Sequence, residues 1–254
     1  MAHMLIVRLD GSIAPDVTAD ELARAYQDQQ SIVWLDYDHS PDPDQLAYVS
    51  DLFDLGEGAV EHLTEPQLRP RATPFRAYML TVVYDVSLQD GSESIDRNEV
   101  VLLFTSRYLV SVHHGNTMSL TLGSGQIERA LSRFGVEIAA IVFAVLEQVA
   151  EGYLRVLDDV KVRIEALESR ILQQEEQEGI PQLYHLRRQL TQLRGVIAPE
   201  AALIGLHAGQ NPFLNNPEIQ EAMLDVKHKL QCAVDEIDLY LGVLPDILTT
   251  FESL

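Results

Sequence analysis

The chain has 254 residues, of which 46% are hydrophobic, so it is long and apolar enough to fold into one or two soluble domains. Its 39 acidic and 18 basic residues give a formal net charge of -21. This charge disfavours nucleic acid as a partner, because phosphates would be repelled, and it favours cations. The single cysteine, Cys232, excludes an intramolecular disulfide.

The first half of the chain, residues 4–124, is predicted to be a domain of the α/β class. Short apolar runs bounded by turn residues predict strands at residues 5–7, 32–35, 78–86, 99–104 and 108–113. We expect the last three to form an antiparallel meander. Helices are predicted at residues 19–27, 42–53 and 57–64. Helices packed on a mostly antiparallel sheet give an α/β/α domain, and we expect its ordered structure to begin near Met4.

The second half is predicted to consist of three long helices. From about residue 125 the apolar residues recur at intervals of three and four, which is the pattern of amphipathic helices. Residues 149–171 predict the first helix and residues 183–197 the second, so that residues 125–210 form a helical hairpin. The longest uncharged apolar run, residues 138–146, is far shorter than the roughly 20 residues that a membrane-spanning helix needs.

The third long helix begins near Pro217 and keeps its apolar spacing almost to Leu254. At about 1.5 Å per residue it would be roughly 55 Å long, more than we expect the chain's own core to cover. We therefore expect it either to pack against copies of itself or to continue into another structure. Its opposite face carries Asp235 and Asp246, and such carboxylates repel one another until a divalent cation neutralises them. Pro245 within this helix predicts a kink.

Four segments of the chain occur in a distinctive order. Residues 32–36 (IVWLD) form a strand centred on tryptophan, and residues 68–71 (LRPR) precede the predicted meander. Residues 152–172 begin with GYL and end with LESRIL, and residues 182–199 begin with QLYHLRRQL and end with AP. Together these segments resemble the CorA family of magnesium channels and its ZntB branch over nearly the whole chain.

The resemblance implies the cytoplasmic, ion-sensing part of a homopentameric channel shaped like a funnel. In the family each subunit has an α/β/α domain, two antiparallel "willow" helices, here residues 125–210, and a stalk helix that leads into the membrane, here residues 211–254. Residues 1–254 lack the family's two membrane helices and its Gly-Met-Asn motif. The resemblance implies that the full-length protein lies in the inner membrane and that this portion of it is soluble in the cytoplasm.

The resemblance also implies regulatory Mg²⁺ ions bound between neighbouring subunits. In the family one carboxylate comes from the end of a sheet strand and another from the stalk helix. The strand-side candidates are Asp85 and Asp90, and the stalk-side candidates are Asp235, Asp238 and Asp246. Mg²⁺ keeps much of its water shell, so one or two protein carboxylates are enough to hold it. We expect bound Mg²⁺ to keep the channel closed; the transported ion would be Mg²⁺, with Co²⁺ or Ni²⁺ as further substrates.

Two other functions stay open at this point. One is zinc transport, as in the ZntB branch, and the other is a soluble adaptor that oligomerises through its long helices and moves no ions. An enzyme is not expected, because the sequence has no metal-binding Cys-x-x-Cys or His-Glu-x-x-His motif, phosphate-binding glycine loop or nucleophile elbow. His113 and His114 are not expected to share a zinc ion, because neighbours on a strand point to opposite faces.

Overall fold

A computed structural model of the chain describes residues 2–67, 69–88, 94–113, 125–172, 179–210 and 212–252. Its strands are β1 (Ala2–Arg8), β2 (Ile13–Ala14), β3 (Ser31–Tyr37), β4 (Arg71–Pro74), β5 (Met79–Leu88), β6 (Ile95–Phe104) and β7 (Tyr108–His113). Its helices are α1 (Ala19–Gln27), α2 (Pro43–Phe53), α3 (Glu57–Thr64), α4 (Gln126–Phe134), α5 (Ile138–Leu172), α6 (Gly179–Gln210) and α7 (Pro217–Glu252).

The strands form one sheet in the order β2-β1-β3-β7-β6-β5-β4. Every neighbouring pair is antiparallel except β3 and β7, which run parallel. This confirms the mostly antiparallel sheet and the meander of β5, β6 and β7. The predicted start near Met4 is wrong, because β1 also includes Ala2 and His3, which pair with Tyr37 and Asp36. The short strands β2 and β4 were not predicted, since two and four residues show too little alternation to be recognised.

The sheet separates two hydrophobic clusters, as the alternation of side chains along β3 shows. Trp34 belongs to the cluster on the side of α4 to α7, whereas Val33 and Leu35 belong to the cluster on the side of α1 to α3. Trp34 and Phe104 are both buried, as expected for core residues. Helices therefore cover both faces of the sheet, which confirms the α/β/α class.

The first two helices begin at capping boxes, which explains why their bounds could be predicted. The Thr18 hydroxyl accepts a hydrogen bond from the Glu21 backbone N–H, and the Glu21 carboxylate accepts one from the Thr18 backbone N–H. Asp42 and Gln45 form the same arrangement at the start of α2, where Pro43 occupies the first turn. Each box satisfies two backbone N–H groups that the helix itself leaves unpaired.

The last helix, α7, packs along α6 and against α5, while α5 and α6 contact each other over a shorter stretch. The side of α7 that faces these two helices includes seven large apolar residues that are 5% exposed or less, and they are Ile219, Met223, Val226, Leu230, Val234, Ile237 and Leu244. We call this set the α7 seam. The expectation that α7 is too long for the chain's own core to cover is therefore wrong, because α5 and α6, with 35 and 32 residues, are long enough to cover it.

Both α6 and α7 continue through an internal proline. Pro199 lies within α6 and Pro245 within α7, and each removes one backbone N–H from its helix ladder. The C-terminal part of α6 is fixed to the sheet by His207, whose Nε2 atom lies 2.9 Å from the Thr81 hydroxyl on β5. Burial lowers the pKa of His207 to about 4, so the imidazole is neutral at neutral pH. The kink at Pro245 stays a prediction.

Leu230→Ala tests whether the α7 seam is buried within one chain. Leu230 is fully buried, so its truncation should lower the free energy of unfolding by about 2–5 kcal/mol, measured by urea denaturation. The matched control is Leu206→Ala on α6, where the side chain is 48% exposed and the loss should stay near 0.5 kcal/mol. Equal losses for the two variants would contradict the packing described here.

Candidate metal-binding residues

The side of α7 opposite its seam combines carboxylates with exposed apolar side chains. Asp235 and Asp246 are exposed, and Leu239 and Val243 are 63% and 39% exposed. These four residues are spaced by three or four positions and therefore share one face of the helix, which we call the α7 outer face. Asp235 accepts a hydrogen bond of 3.2 Å from the Gln231 side chain. This face is chemically able to bind a cation and to contact another protein surface.

Asp238 is engaged by a basic residue of its own chain. Arg194 on α6 donates two hydrogen bonds to it, from Nε to Oδ1 at 2.5 Å and from Nη2 to Oδ2 at 3.1 Å. These bonds hold the pKa of Asp238 below its ordinary value. A cation at Asp238 would have to compete with the Arg194 guanidinium.

Asp85 lies in the interior rather than on the surface. It sits on β5 opposite Asn98 and is 1% exposed. A Cβ atom added at Gly152 of α5 would come within 3.2 Å of the Asp85 Oδ1 atom, so the absence of a side chain at Gly152 makes room for this carboxylate. The structure therefore gives no support to Asp85 as a ligand between subunits, and we leave it out of the ligand set proposed below. Asp90 lies outside the described residues.

Within the described ranges, no group of three or more His, Cys, Asp or Glu side chains comes together as a metal site would require. Asp235 and Asp246 are 11 positions apart on one helix, which corresponds to about 16 Å along its axis. One ion cannot bind both within a single chain. A cation at either carboxylate would take its remaining ligands from water or from another subunit.

A second cluster of acidic side chains lies buried where α5 and α6 meet β5. This cluster was not predicted from the sequence. Glu200 of α6 is fully buried, and its Oε1 atom accepts a hydrogen bond of 2.6 Å from the Tyr84 backbone N–H. The Tyr153 hydroxyl of α5 is also buried and faces Glu200. Burial raises the pKa of Glu200 to about 8. The Tyr84 hydrogen bond and the Tyr153 hydroxyl act to lower this pKa, and the negative charge of Asp85 acts to raise it. We call Glu200, Asp85 and Tyr153 the buried acid cluster.

The sequence did contain a signal for this cluster. Leu193, Ile197, Glu200, Ile204 and His207 follow one another at intervals of three or four, so Glu200 and His207 lie on the apolar side of α6. A carboxyl group in the middle of such a stripe is unusual, because burying it in an ionised state costs several kcal/mol.

The part of the chain that the structure describes contains no helix with both the length and the apolar composition needed to span a bilayer.

The fold matches solved structures over most of the chain. It is similar to the soluble domain of CorA from Methanocaldococcus jannaschii, with a TM-score of 0.77 at 16% identity, covering 99% of this chain and 97% of that one. The full-length CmaX structure gives a TM-score of 0.81 at 16% identity, covering 99% of this chain and 76% of the other. The cytoplasmic domain of ZntB from Vibrio parahaemolyticus gives 0.67 at 12% identity, with 87% of each chain covered. The fold is thus that of the soluble domain of CorA.

The chain belongs to the family described as CorA-like Mg²⁺ transporter protein, whose model matches residues 29–254. The cobalt/magnesium transport protein CorA of Thermotoga maritima is 18% identical to it over 231 residues, which is 90% of this chain. The chain spans 65% of the length of that relative. The family membership confirms the resemblance found in the sequence. It also agrees with the expectation that the chain is not an enzyme.

Arg194→Gln tests whether Arg194 controls the charge of Asp238. Removing the guanidinium should raise the pKa of Asp238 toward its ordinary value, because the charged hydrogen bonds that favour the carboxylate are lost. The pKa is measured by NMR titration of the labelled Asp238 carboxyl carbon. Arg188→Gln, an exposed position on the same helix, is the control and should leave the Asp238 titration unchanged. An identical titration in both variants would show that the ion pair does not form in solution.

Proposed function

We propose that this chain is the ion-sensing cytoplasmic portion of a divalent cation transporter of the inner membrane, and that Mg²⁺ bound between its subunits holds the assembly closed. The observation that carries the proposal is the α7 outer face, where the exposed carboxylates Asp235 and Asp246 lie beside the exposed apolar Leu239 and Val243. The family membership and the net charge of -21 support the same conclusion.

Because of the residues on the α7 outer face, the association of subunits depends on cations. Burying Leu239 and Val243 against a second copy favours assembly, because apolar side chains leave water. The same contact brings carboxylates together, and two of them about 8 Å apart repel by about 0.5–2 kcal/mol, depending on the local dielectric. In the homopentamer that we propose, this repulsion recurs at every subunit boundary. A divalent cation between the carboxylates removes it, so ion concentration controls assembly geometry.

The proposed ligands on α7 are Asp235 and Asp246. Asp238 can join them only when Arg194 releases it, since the two residues form a bidentate pair. Asp90 stays a candidate from the sheet side. Carboxylate oxygen ligands on an exposed helix suit Mg²⁺, which retains several waters and binds through one or two carboxylates.

A specific observation also supports zinc as the ion. His228 is exposed on α7, and Asp225, three positions earlier, is exposed on the adjoining turn. An imidazole and a carboxylate one turn apart are a donor pair that Zn²⁺ accepts readily and Mg²⁺ does not. The fold similarity to the ZntB cytoplasmic domain is compatible with this alternative.

Titration of the purified chain with MgCl₂ tests the proposal. Millimolar Mg²⁺ should shift the sedimentation profile toward a larger assembly and raise the melting temperature, because a ligand that binds the assembled form stabilises it. The double variant Asp235→Asn and Asp246→Asn should lose both responses. Its asparagine side chains keep the size and polarity of the originals but remove two negative charges per chain.

Two controls separate the possible outcomes. Asp51→Asn removes a negative charge from the exposed surface of α2 and should leave the Mg²⁺ response intact. A parallel titration with ZnCl₂, repeated on His228→Ala, identifies the ion: a zinc response that disappears in His228→Ala, without a Mg²⁺ response, would replace Mg²⁺ by Zn²⁺. Indifference of the wild-type chain to both ions would overturn the sensing function.

A further inference from the structure

The buried acid cluster joins three elements that are far apart in sequence. Glu200 comes from α6, Tyr153 from α5 and Asp85 from β5. Glu200 and Tyr153 are fully buried, and the Glu200 Oε2 atom is sealed from solvent and accepts no hydrogen bond in the described part of the chain. The cluster therefore lies where the two long helices that support α7 meet the sheet.

The surroundings of Glu200 favour its neutral form. Transfer of an ionised carboxylate into a site without solvent costs several kcal/mol unless a cation or several hydrogen bonds compensate for it. Glu200 receives a hydrogen bond from the Tyr84 backbone N–H and faces the Tyr153 hydroxyl, and both favour its ionised form, but burial outweighs them and the acidic neighbour Asp85 opposes a second negative charge. Two nearby carboxyl groups in such a site cannot both ionise at low cost.

Basic groups occur near the cluster, but they lie at its rim. Arg97 of β6 is exposed, and its charge acts on Tyr84 and Tyr153. Arg155 of α5 is 52% exposed and is paired with Glu151 at 3.9 Å. The charged or titratable groups beside the cluster are Tyr84 and Asp85 on β5, Arg97 on β6, and Tyr153 and Arg155 on α5. Farther out, Glu99 on β6 contacts the Tyr84 hydroxyl, Arg71 on β4 acts on Glu99, and Lys229 on α7 is paired with Glu147 and Glu151 of α5.

We propose that Glu200 is an internal proton-binding site whose neutral carboxyl group fastens α6 to β5, and that loss of this proton at alkaline pH loosens the contact between the helices and the sheet. An ionised Glu200 gains free energy by reaching water, which it can do only if α6 moves away from β5. Because α6 supports α7, the proton state of one interior residue influences the position of the α7 outer face. This proton site is independent of any metal ion on α7.

The variant Glu200→Gln tests the proposal, since glutamine keeps the shape of a neutral glutamic acid and cannot ionise. The pKa of Glu200 is raised in the folded chain from its ordinary 4.5 to about 8, so its stabilising effect is complete below about pH 4.5 and is lost as the pH rises to about 8. His207 has a lowered pKa and destabilises the fold only as the pH falls below about 6.5, so it does not interfere at higher pH.

Urea denaturation of wild-type protein and Glu200→Gln between pH 6.5 and 9.5 gives the first readout. The unfolding equilibrium constant of the wild type, divided by that of the variant, should rise about tenfold per pH unit up to about pH 8 and then level off. Glu168→Gln on the exposed side of α5 is the matched control and should show no such rise. A ratio for Glu200→Gln that does not change with pH would overturn the proposal.

Infrared spectroscopy gives a second readout that does not require the variant to fold. The wild type at pH 7 should show the carbonyl band of a protonated carboxyl group, and this band should disappear by about pH 9.5. Glu99 is a partly buried glutamate whose pKa is also raised by burial, so the band should persist in Glu99→Gln. Absence of the band at pH 7, or its loss in Glu99→Gln, would also overturn the assignment to Glu200.

Hydrogen exchange tests the mechanical part of the proposal. After correction for intrinsic exchange rates, amides of residues 82–86 and 197–204 should lose protection in the wild type between pH 7 and pH 9 and keep it in Glu200→Gln. Equal protection in both proteins at pH 9 would show that ionisation of Glu200 leaves the contact between α6 and β5 intact.

Discussion

The burial of the α7 seam against α5 and α6 is the interaction on which the rest of the structure depends. It fixes the rotation of α7 about its own axis, and this rotation decides which side chains point away from the chain. With Leu230 and Ile237 in the interior, Asp235 and Leu239 are necessarily outside. The position of these exposed carboxylates on α7 is thus a consequence of how three long helices pack together.

The α/β/α domain could be predicted closely because its local signals agree with its tertiary structure. The capping boxes at Thr18 and Asp42 define the starts of α1 and α2, and the alternating apolar residues of β3 and β7 face two different cores. The spacing of the α7 seam also predicted which side of that helix is buried. It could not show what covers the seam, since periodicity identifies an apolar stripe without identifying its partner.

The candidate site was harder to predict, because the state of a carboxylate depends on neighbours that are distant in sequence. Asp238 is exposed, yet it is paired with Arg194 from 44 positions earlier in the chain. Asp85 was expected at the end of a strand, where it could bind an ion between subunits. In the structure its carboxylate is buried against Gly152 of α5. Glu200 lies within an apolar spacing that is visible in the sequence, but only the structure shows that its buried neighbours are Asp85 and Tyr153.

The proline within α6 divides that helix into two arms with different attachments. The arm before Pro199 includes Arg194, which is paired with Asp238 of α7, and the arm after it includes Glu200 and His207, which contact β5. Pro199 cannot donate to the carbonyl of Gly195, so the joint between the arms lacks one rung of the helix ladder. Because this rung is missing next to Glu200, we expect α6 to bend more easily at this joint than an uninterrupted helix would, so that its two arms can change their mutual angle while each keeps its own contacts.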